Sequence, residues 1–227
     1  MIEINNETEK VPWLVVTGLD GTGKTMLVTS LVRLFEEDGQ RVKRTRSPHD
    51  PYLVKTLLNE SGNGSPTADS YTDRAIFMLD NRILGTRIKK WRESGEYDLI
   101  ISQRGFLDAF VHGSVVNFSY EQTAEFNRIW ELPKCQLMIH LVANAETAYE
   151  RIKNDPEGDK FETLDYMKIQ EYETRKAYEM IKRKEHSGAL SSFFDCINIL
   201  IDTTDLSPEE TFELAKNKIK SYIKLSK

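Results

Sequence analysis

The sequence is poor in cysteine. Only Cys135 and Cys196 occur in 227 residues, far apart and without CxxC spacing. This excludes a disulfide framework or a zinc ribbon and points to two reduced thiols in a cytosolic setting, each expected in or beside a strand of the core. Long apolar runs are also missing, and the first twelve residues, MIEINNETEKVP, are polar and mixed in charge. Neither a membrane span nor a secretory leader is expected. Positive charge is not in excess: 31 Lys and Arg stand against 36 Asp and Glu, a net charge of −5. A surface that coats nucleic acid is therefore not expected, although basic residues can still gather in one cleft. His49, His112, His140 and His186 show no metal-ligand spacing, and His140 sits in a strand pattern where a satisfied sheet position is the expected role. Repeats and low-complexity tracts are absent as well, and 39% hydrophobic residues exclude wholesale disorder.

What is present begins at Gly18 to Thr25, GLDGTGKT, a full GxxxxGK[ST] phosphate loop between an apolar run and a helical pattern. Gly18, Gly21 and Gly23 let consecutive backbone N–H groups turn onto a polyphosphate, with Asp20 and Thr22 in the same loop and a helix N-terminus behind it. Lys24 is expected on the β- and γ-phosphate oxygens, and the Thr25 hydroxyl on Mg²⁺. ATP and Mg²⁺ are the expected ligands.

Apolar runs recur at Trp13 to Thr17, Val42 to Thr45, Asp98 to Ser102, Gln136 to Val142 and Ile197 to Asp202, with helical patterns between them. This alternation predicts βα units, hence one α/β domain over 1–227 with three layers, α/β/α, around a central five-stranded parallel sheet. The first helix is expected to end near Glu37 and Gly39, the glycine supplying a left-handed C′ position. Tyr71 to Trp91 predicts a long helix whose core stripe is Ala75, Met78, Leu79, Ile83, Ile88 and Trp91, with Arg74, Asn81 and Arg82 on its polar face. Ser119 with Gln122 and Ser207 with Glu210 match the capping box, and Pro208 sits at a favoured first helical position. Two breaker-rich stretches, Glu60 to Thr67 and Asn154 to Gly158, read as mobile loops.

Arg46 follows the second strand pattern, Arg104 follows the third, and Arg82 lies on the long helix. Strand C-termini of an open parallel sheet meet at one crevice, so Arg46 and Arg104 are expected to face the phosphate loop. Guanidinium groups hold phosphate bidentately, which suits an anionic acceptor. The segment 151–162, RIKNDPEGDKFE, combines Arg151, Lys153 and Lys160 with Pro and Gly. Such a segment is suited to fold over bound phosphates and deliver a cation to the developing charge, so Lys24, Arg104, Arg151 and Lys160 are the expected catalytic set.

With these elements in place the chain resembles the thymidylate kinase family over approximately Trp13 to Ile223. The resemblance rests on GLDGTGKT at 18–25, RSP at 46–48, FMLDNR at 77–82, QRG at 103–105, DKFE at 159–162 and IDTT at 201–204. It implies transfer of the ATP γ-phosphoryl group to a deoxynucleoside monophosphate, with Mg²⁺, in a homodimeric protein. By position, Asp20 would meet the acceptor sugar, Arg82 and Arg104 its phosphate, and 151–162 would be the lid. Thr203 and its neighbours would border the adenine. Where the family usually has an acidic residue before the third-strand arginine this chain has Gln103, a poorer Mg²⁺ partner, so Thr25, phosphate oxygens and water are expected to carry the metal, or Asp20 or Asp108 to reach in. The stacking aromatic falls at Met78, with Phe77 one step away, and the usual base-pocket tyrosine and glutamine correspond to His112 and Gly113.

Replacing glutamine by Gly113, next to Gly105 in the same region, suggests a roomier pocket that admits a 5-substituted pyrimidine such as a 5-hydroxymethyl-dUMP. The rival readings are a hydroxyl acceptor, as in a deoxynucleoside kinase or a kinase for a modified base in DNA, a nucleotide-binding protein that has lost transfer, and a motor-type or switch NTPase. The first would need a carboxylate base, for which Asp108 and Asp20 are the candidates. The last is disfavoured by Gln103 and by the lack of guanine-reading motifs.

Overall fold

The computed structural model describes residues 11–62, 70–115, 118–128, 132–154, 163–184, 195–220 and 222. Most of the expected lid, 155–162 with Lys160, and most of the breaker stretch before Thr67 lie outside the described residues.

Five strands, β1 (Trp13–Gly18), β2 (Val42–Arg46), β3 (Leu99–Gln103), β4 (Leu137–Val142) and β5 (Ile197–Asp202), form one parallel sheet in the order β2-β3-β1-β4-β5. The helices are α1 (Lys24–Glu37), α2 (Pro51–Gly62), α3 (Ser70–Glu93), α4 (Phe106–Val115), α5 (Tyr120–Arg128), α6 (Ala145–Ile152), α7 (Leu164–Lys182) and α8 (Pro208–Lys220). β1 lies at the centre, with Val16 paired to Gln103 of β3 on one side and Ile139 of β4 on the other. The chain winds out from β1 in both directions, so the loops after β1 and β3 open into one crevice at the strand C-termini.

β1 and β4 are buried along their whole length, as expected of parallel strands covered on both faces. The pleat divides their side chains. Leu14 and Val16 point to the layer of α1 and α8, where Leu27, Val28, Leu31, Phe35, Ala215 and Ile219 close the core. Trp13 and Val15 point to the opposite layer, against Leu84 and Ile88 of α3, Phe106, Leu107 and Phe110 of α4, and Ala177 and Ile181 of α7.

The expected helix ends are present. Gly39 takes φ 84°, and the Gly39 and Gln40 N–H groups donate back to Glu36 O and Phe35 O, closing α1 with a Schellman motif. Ser119 and Gln122 bond reciprocally at 2.8 and 3.2 Å, and Ser207 and Glu210 at 2.8 and 3.1 Å, so α5 and α8 both start with capping boxes.

One expectation, the stripe of α3, needs correction. In α3 the stripe holds for Met78 and Ile88, but Ala75 is exposed and Leu79 is 44% exposed, while Asp73, Arg74, Asp80 and Asn81 are buried. The first half of α3 covers the crevice rather than the apolar core, so its inward face is polar. The two cysteines, distant in sequence, are brought together where β4 and β5 begin, with Sγ atoms 3.4 Å apart and both thiols free. Among the described residues no helix is long and apolar enough to cross a membrane.

Candidate active site

The phosphate loop is built by backbone geometry. Gly18, Gly21 and Gly23 all have positive φ, at 135°, 75° and 86°. A side chain at Gly18 would place its Cβ 1.9 Å from Leu141 O, and one at Gly21 would fall 2.3 Å from Ala148 O. These two glycines therefore serve close approach to β4 and α6 as well as the turn. Thr22 ties the loop internally through Oγ1 to Leu19 O at 2.6 Å. Thr25, in the first turn of α1, is exposed.

Lys24 is buried, donating from Nζ to Leu19 O at 2.7 Å and to Asp20 Oδ1 at 2.9 Å. Burial pushes its pKa down, and Asp20 opposes the shift. The same Asp20 oxygen accepts from Arg104 Nη2. Burial alone would raise the Asp20 pKa, but Arg104 and Lys24 outweigh it and hold the carboxylate far below its usual range. Asp20 in turn raises the Arg104 pKa against the effect of burial. One carboxylate therefore joins the phosphate-loop lysine to the arginine of the third strand.

Arg104 reaches this position through a left-handed backbone, φ 64°, fixed by its N–H donating to Val16 O at 2.7 Å. That conformation costs a non-glycine residue about 1–3 kcal/mol and is characteristic of functional sites. Asp108 supports the turn: Oδ2 accepts from Gly105 N at 2.9 Å and from Thr17 Oγ1 at 2.8 Å. Burial pushes the Asp108 pKa up, and Arg104 and these hydrogen bonds moderate the shift. The carboxylate is thus committed to α4 and β1.

The far wall is formed by α4 and α7. His112 Nδ1 lies 2.7 Å from Tyr166 Oη, and its Nε2 3.4 Å from Gln170 Nε2. Burial, with Arg104 and Arg74 nearby, pushes the imidazole down to about 3. His112 is neutral at physiological pH. On α3, Met78 is buried, whereas Phe77 is half-buried and carries the Arg74 guanidinium 5.3 Å above its ring centroid. Arg82 is half-buried two turns further along the helix, and Arg46 is exposed at the end of β2, in register with Gln103. Asp80 fixes the segment after β2 by accepting from His49 N at 2.7 Å and Asp50 N at 3.0 Å.

Arg151 belongs to the last turn of α6, so the segment expected as a lid begins as helix. Its guanidinium donates to Thr203 O at 2.9 Å, Thr204 O at 3.2 Å and Gly21 O at 3.3 Å, tying the phosphate loop to the segment after β5. Thr203 joins the same tie, donating to Val142 O at 3.1 Å. The space expected directly beside Gly113 and Gly105 is taken up by packed neighbours. A Cβ at Gly113 would meet Thr123 Oγ1 at 3.0 Å, and one at Gly105 would meet Val15 at 3.0 Å, so both glycines accommodate packed neighbours.

Among the described residues no group of three or more His, Cys, Asp or Glu side chains is arranged to hold a metal. The residues present nevertheless suit a hard cation carried in on phosphate oxygens, which the exposed Thr25 hydroxyl would ligate, and Gln103 is paired with Val16 two residues before the loop. Thr17, Arg74, Tyr166 and Gln170 enter this site without having stood out as site residues in the sequence. Arg74 was legible only as a polar position on its helix.

A central β1 that ends in a phosphate loop, with a cation-bearing turn after its neighbour β3, defines a P-loop phosphotransferase fold. A family model described as thymidylate kinase matches residues 16–189, and the chain belongs to that family. The chain is 24% identical over 221 residues to a thymidylate kinase of Caldicellulosiruptor saccharolyticus, covering 95% of this chain and 98% of the relative. It is 24% identical over 215 residues to a protein of Methanosphaera stadtmanae named "Probable thymidylate kinase", covering 94% and 100%. A protein of Archaeoglobus fulgidus with the same name is 26% identical over 156 residues, 68% of this chain and 76% of the relative. The chain is thus a phosphotransferase whose family phosphorylates nucleoside monophosphates, with ATP as donor.

Proposed function

We propose that this protein transfers the ATP γ-phosphoryl group to the phosphate of a deoxypyrimidine nucleoside monophosphate, either dTMP or a 5-substituted dUMP such as 5-hydroxymethyl-dUMP. The observation that carries the reading is the Asp20 bridge, which sets Lys24 and Arg104 on either side of one carboxylate oxygen. Lys24 faces the donor phosphates and Arg104 the acceptor phosphate, so both reactants are held on one line. An acceptor phosphate oxygen attacks Pγ as the bond from Pγ to the bridging oxygen of ADP breaks. The acceptor is already anionic, so no strong base is required, and catalysis is positioning and charge stabilisation.

Mg²⁺, held through Thr25 and phosphate oxygens, would neutralise charge on the β- and γ-phosphates. Arg82 and Arg46 supply further positive charge to the acceptor, and Arg151 and Lys160 frame the donor side. A hydroxyl acceptor fits less well. It requires a base, whereas Asp20 is held ionised by two cations and Asp108 is bound to Thr17 and Gly105. Assembly as a homodimer is part of the reading, and light scattering on the purified protein reads it directly.

The test is a coupled assay of ADP release over deoxynucleosides, their monophosphates, 5-hydroxymethyl forms and DNA. Turnover on pyrimidine monophosphates, and little on nucleosides or DNA, is expected. Highest turnover on a nucleoside or on DNA overturns the proposal.

A further inference from the structure

Cys135 and Cys196 are the only cysteines in the chain and stand 61 positions apart. The start of the β4–β5 ladder, at the pair Leu137 and Ile197, nevertheless sets their Sγ atoms 3.4 Å apart. An S–S bond is about 2 Å long, so closing the gap takes a shift of roughly 1.4 Å, within reach of side-chain rotation. The two sulfurs differ in access. Cys135 is 6% exposed and packs in the core layer of α3, α4 and α7. Cys196 is half-buried and lines a partly open cavity of about 270 Å³ with Tyr178, Lys182, Asp195 and Asn198.

Their hydrogen bonds differ as well. Cys135 donates its S–H to Cys196 Sγ. Asn198 Nδ2, which donates to Cys196 O at 2.7 Å, also lies 3.6 Å from the same sulfur. Two donors therefore converge on Cys196, the sulfur that the cavity opens to solvent. The contact with Cys196, together with burial, pushes the Cys135 pKa up, so Cys135 holds its proton.

We infer that Cys196 and Cys135 form a redox-active dithiol, in which Cys196 meets hydrogen peroxide in the cavity and Cys135 resolves the product as an intramolecular disulfide. The Cys196 thiolate attacks one peroxide oxygen and the O–O bond breaks. Its sulfur is oxidised to a sulfenic acid, and the other oxygen leaves as hydroxide and takes up a proton. The Cys135 sulfur then attacks Cys196 Sγ, the S–O bond breaks, and the hydroxyl leaves with the Cys135 proton as water. Two thiols and one hydrogen peroxide thus give one disulfide and two waters. A resolving thiol in contact with the sulfenic acid intercepts it before a second peroxide carries it to the sulfinic acid. The bond ties β4 to β5 at the edge of the sheet and closes a loop that carries α6 and α7. It forms at the strand N-termini, the end of the sheet opposite the crevice, so the active site is left in place while the unfolded chain is restricted.

The test is treatment of the folded wild-type protein, Cys135→Ala and Cys196→Ser with a small excess of hydrogen peroxide, read by intact mass, thiol titration and thermal melting. Wild type is expected to lose two hydrogen atoms and both titratable thiols without covalent dimerisation, and to regain both thiols with dithiothreitol. The oxidised protein is expected to melt about 5 °C or more above the reduced one, as a long closed loop requires. Cys135→Ala is expected to gain oxygen at Cys196, trapped by dimedone as the sulfenic acid. Cys196→Ser, left with the buried thiol, is expected to react at least tenfold more slowly than Cys135→Ala. Wild type that keeps both thiols, gains oxygen instead of losing hydrogen, or links into covalent dimers overturns the inference, and these three readings need no variant. Oxidation of Cys196→Ser as fast as Cys135→Ala, or an oxidised protein that melts below the reduced one, overturns it as well.

Discussion

Asp20 and Arg104 are joined through Asp20 Oδ1, the same atom that accepts from Lys24 Nζ at 2.9 Å. Lys24 is buried and the Arg104 side chain is 25% exposed, and both meet at one charge, so the carboxylate sets the spacing between donor and acceptor halves of the cleft. Asp20→Asn leaves two cations facing a neutral amide. Breaking a buried pair from one side costs about 3–5 kcal/mol, and the low end is expected here because a quarter of the Asp20 side chain still meets solvent. The Asp20 pKa is depressed on folding, so its contribution is present above the unfolded value of 3.8 and drains away as pH falls below it. Denaturant titration at pH 7 is expected to separate the variant from wild type, and titration at pH 3 to show the gap only partly narrowed, because the folded carboxylate stays ionised well below its ordinary range.

Arg104 and Lys24 share that carboxylate but face different substrates, and kinetics separates them. Arg104→Ala is expected to raise KM for the acceptor monophosphate tenfold or more and to lower kcat, with a much smaller change in KM for ATP. Lys24→Ala is expected to abolish transfer, since the phosphate loop then lacks its point charge. Initial rates over a matrix of both substrates read both effects. Near-normal turnover in Lys24→Ala contradicts the loop's assignment to ATP.

The reach of sequence reasoning divides along physical lines. The strands were legible because a covered parallel sheet needs unbroken apolar runs, and the helix ends because Gly39, Ser119 and Ser207 act through bonds within a few residues. The phosphate loop and the position of Arg104 after β3 are local to their strands in the same way. What escaped was set by contacts distant in sequence. Asp80 binds N–H groups about thirty positions away. Gly113 looked like open space because the turn that folds Phe118 and Thr123 of the next helix back against it leaves no side-chain signal at the glycine itself. Arg74 followed a helical pattern that marks polar residues as solvated, although this part of α3 roofs the crevice.

Gln103 ends β3 half-buried, paired to Val16 of β1 and Arg46 of β2, at the position where the resembled family carries an acid. A carboxylate there would lie beside the exposed Arg46 and near the phosphate loop, so its charge would not be stranded. Gln103→Asp is expected to leave kcat unchanged or raise it, and to lower the Mg²⁺ concentration needed for half-maximal rate. A rate measured across a Mg²⁺ titration checks both. A large fall in kcat at saturating Mg²⁺ would show that the amide itself has a role.

His140 gives the protein an acid limit unrelated to catalysis. It lies fully buried in β4, with Nε2 2.8 Å from Asn198 Oδ1 and its ring 5.3 Å from Tyr178. Asn198 Nδ2 donates to Cys196 O at 2.7 Å, which leaves Oδ1 to accept, so Nε2 carries the proton. Nδ1 then has no described partner, and protonating it would bury an unpaired N–H. Burial pushes the His140 pKa down to about 4 from 6.5, against the Asn198 hydrogen bond. Because the folded value lies below the unfolded one, the unfolded chain takes up the proton first. The stability contribution is complete above pH 6.5 and is lost as pH falls toward 4. A shift of this size corresponds to about 3 kcal/mol. His112, pushed down to about 3, adds to the same decline. His140→Gln keeps a donor for Asn198 without a titrating group, and its unfolding free energy is expected to fall less steeply than that of wild type between pH 7 and pH 4. Parallel declines of the two proteins in denaturant titrations over that range would remove His140 as the cause.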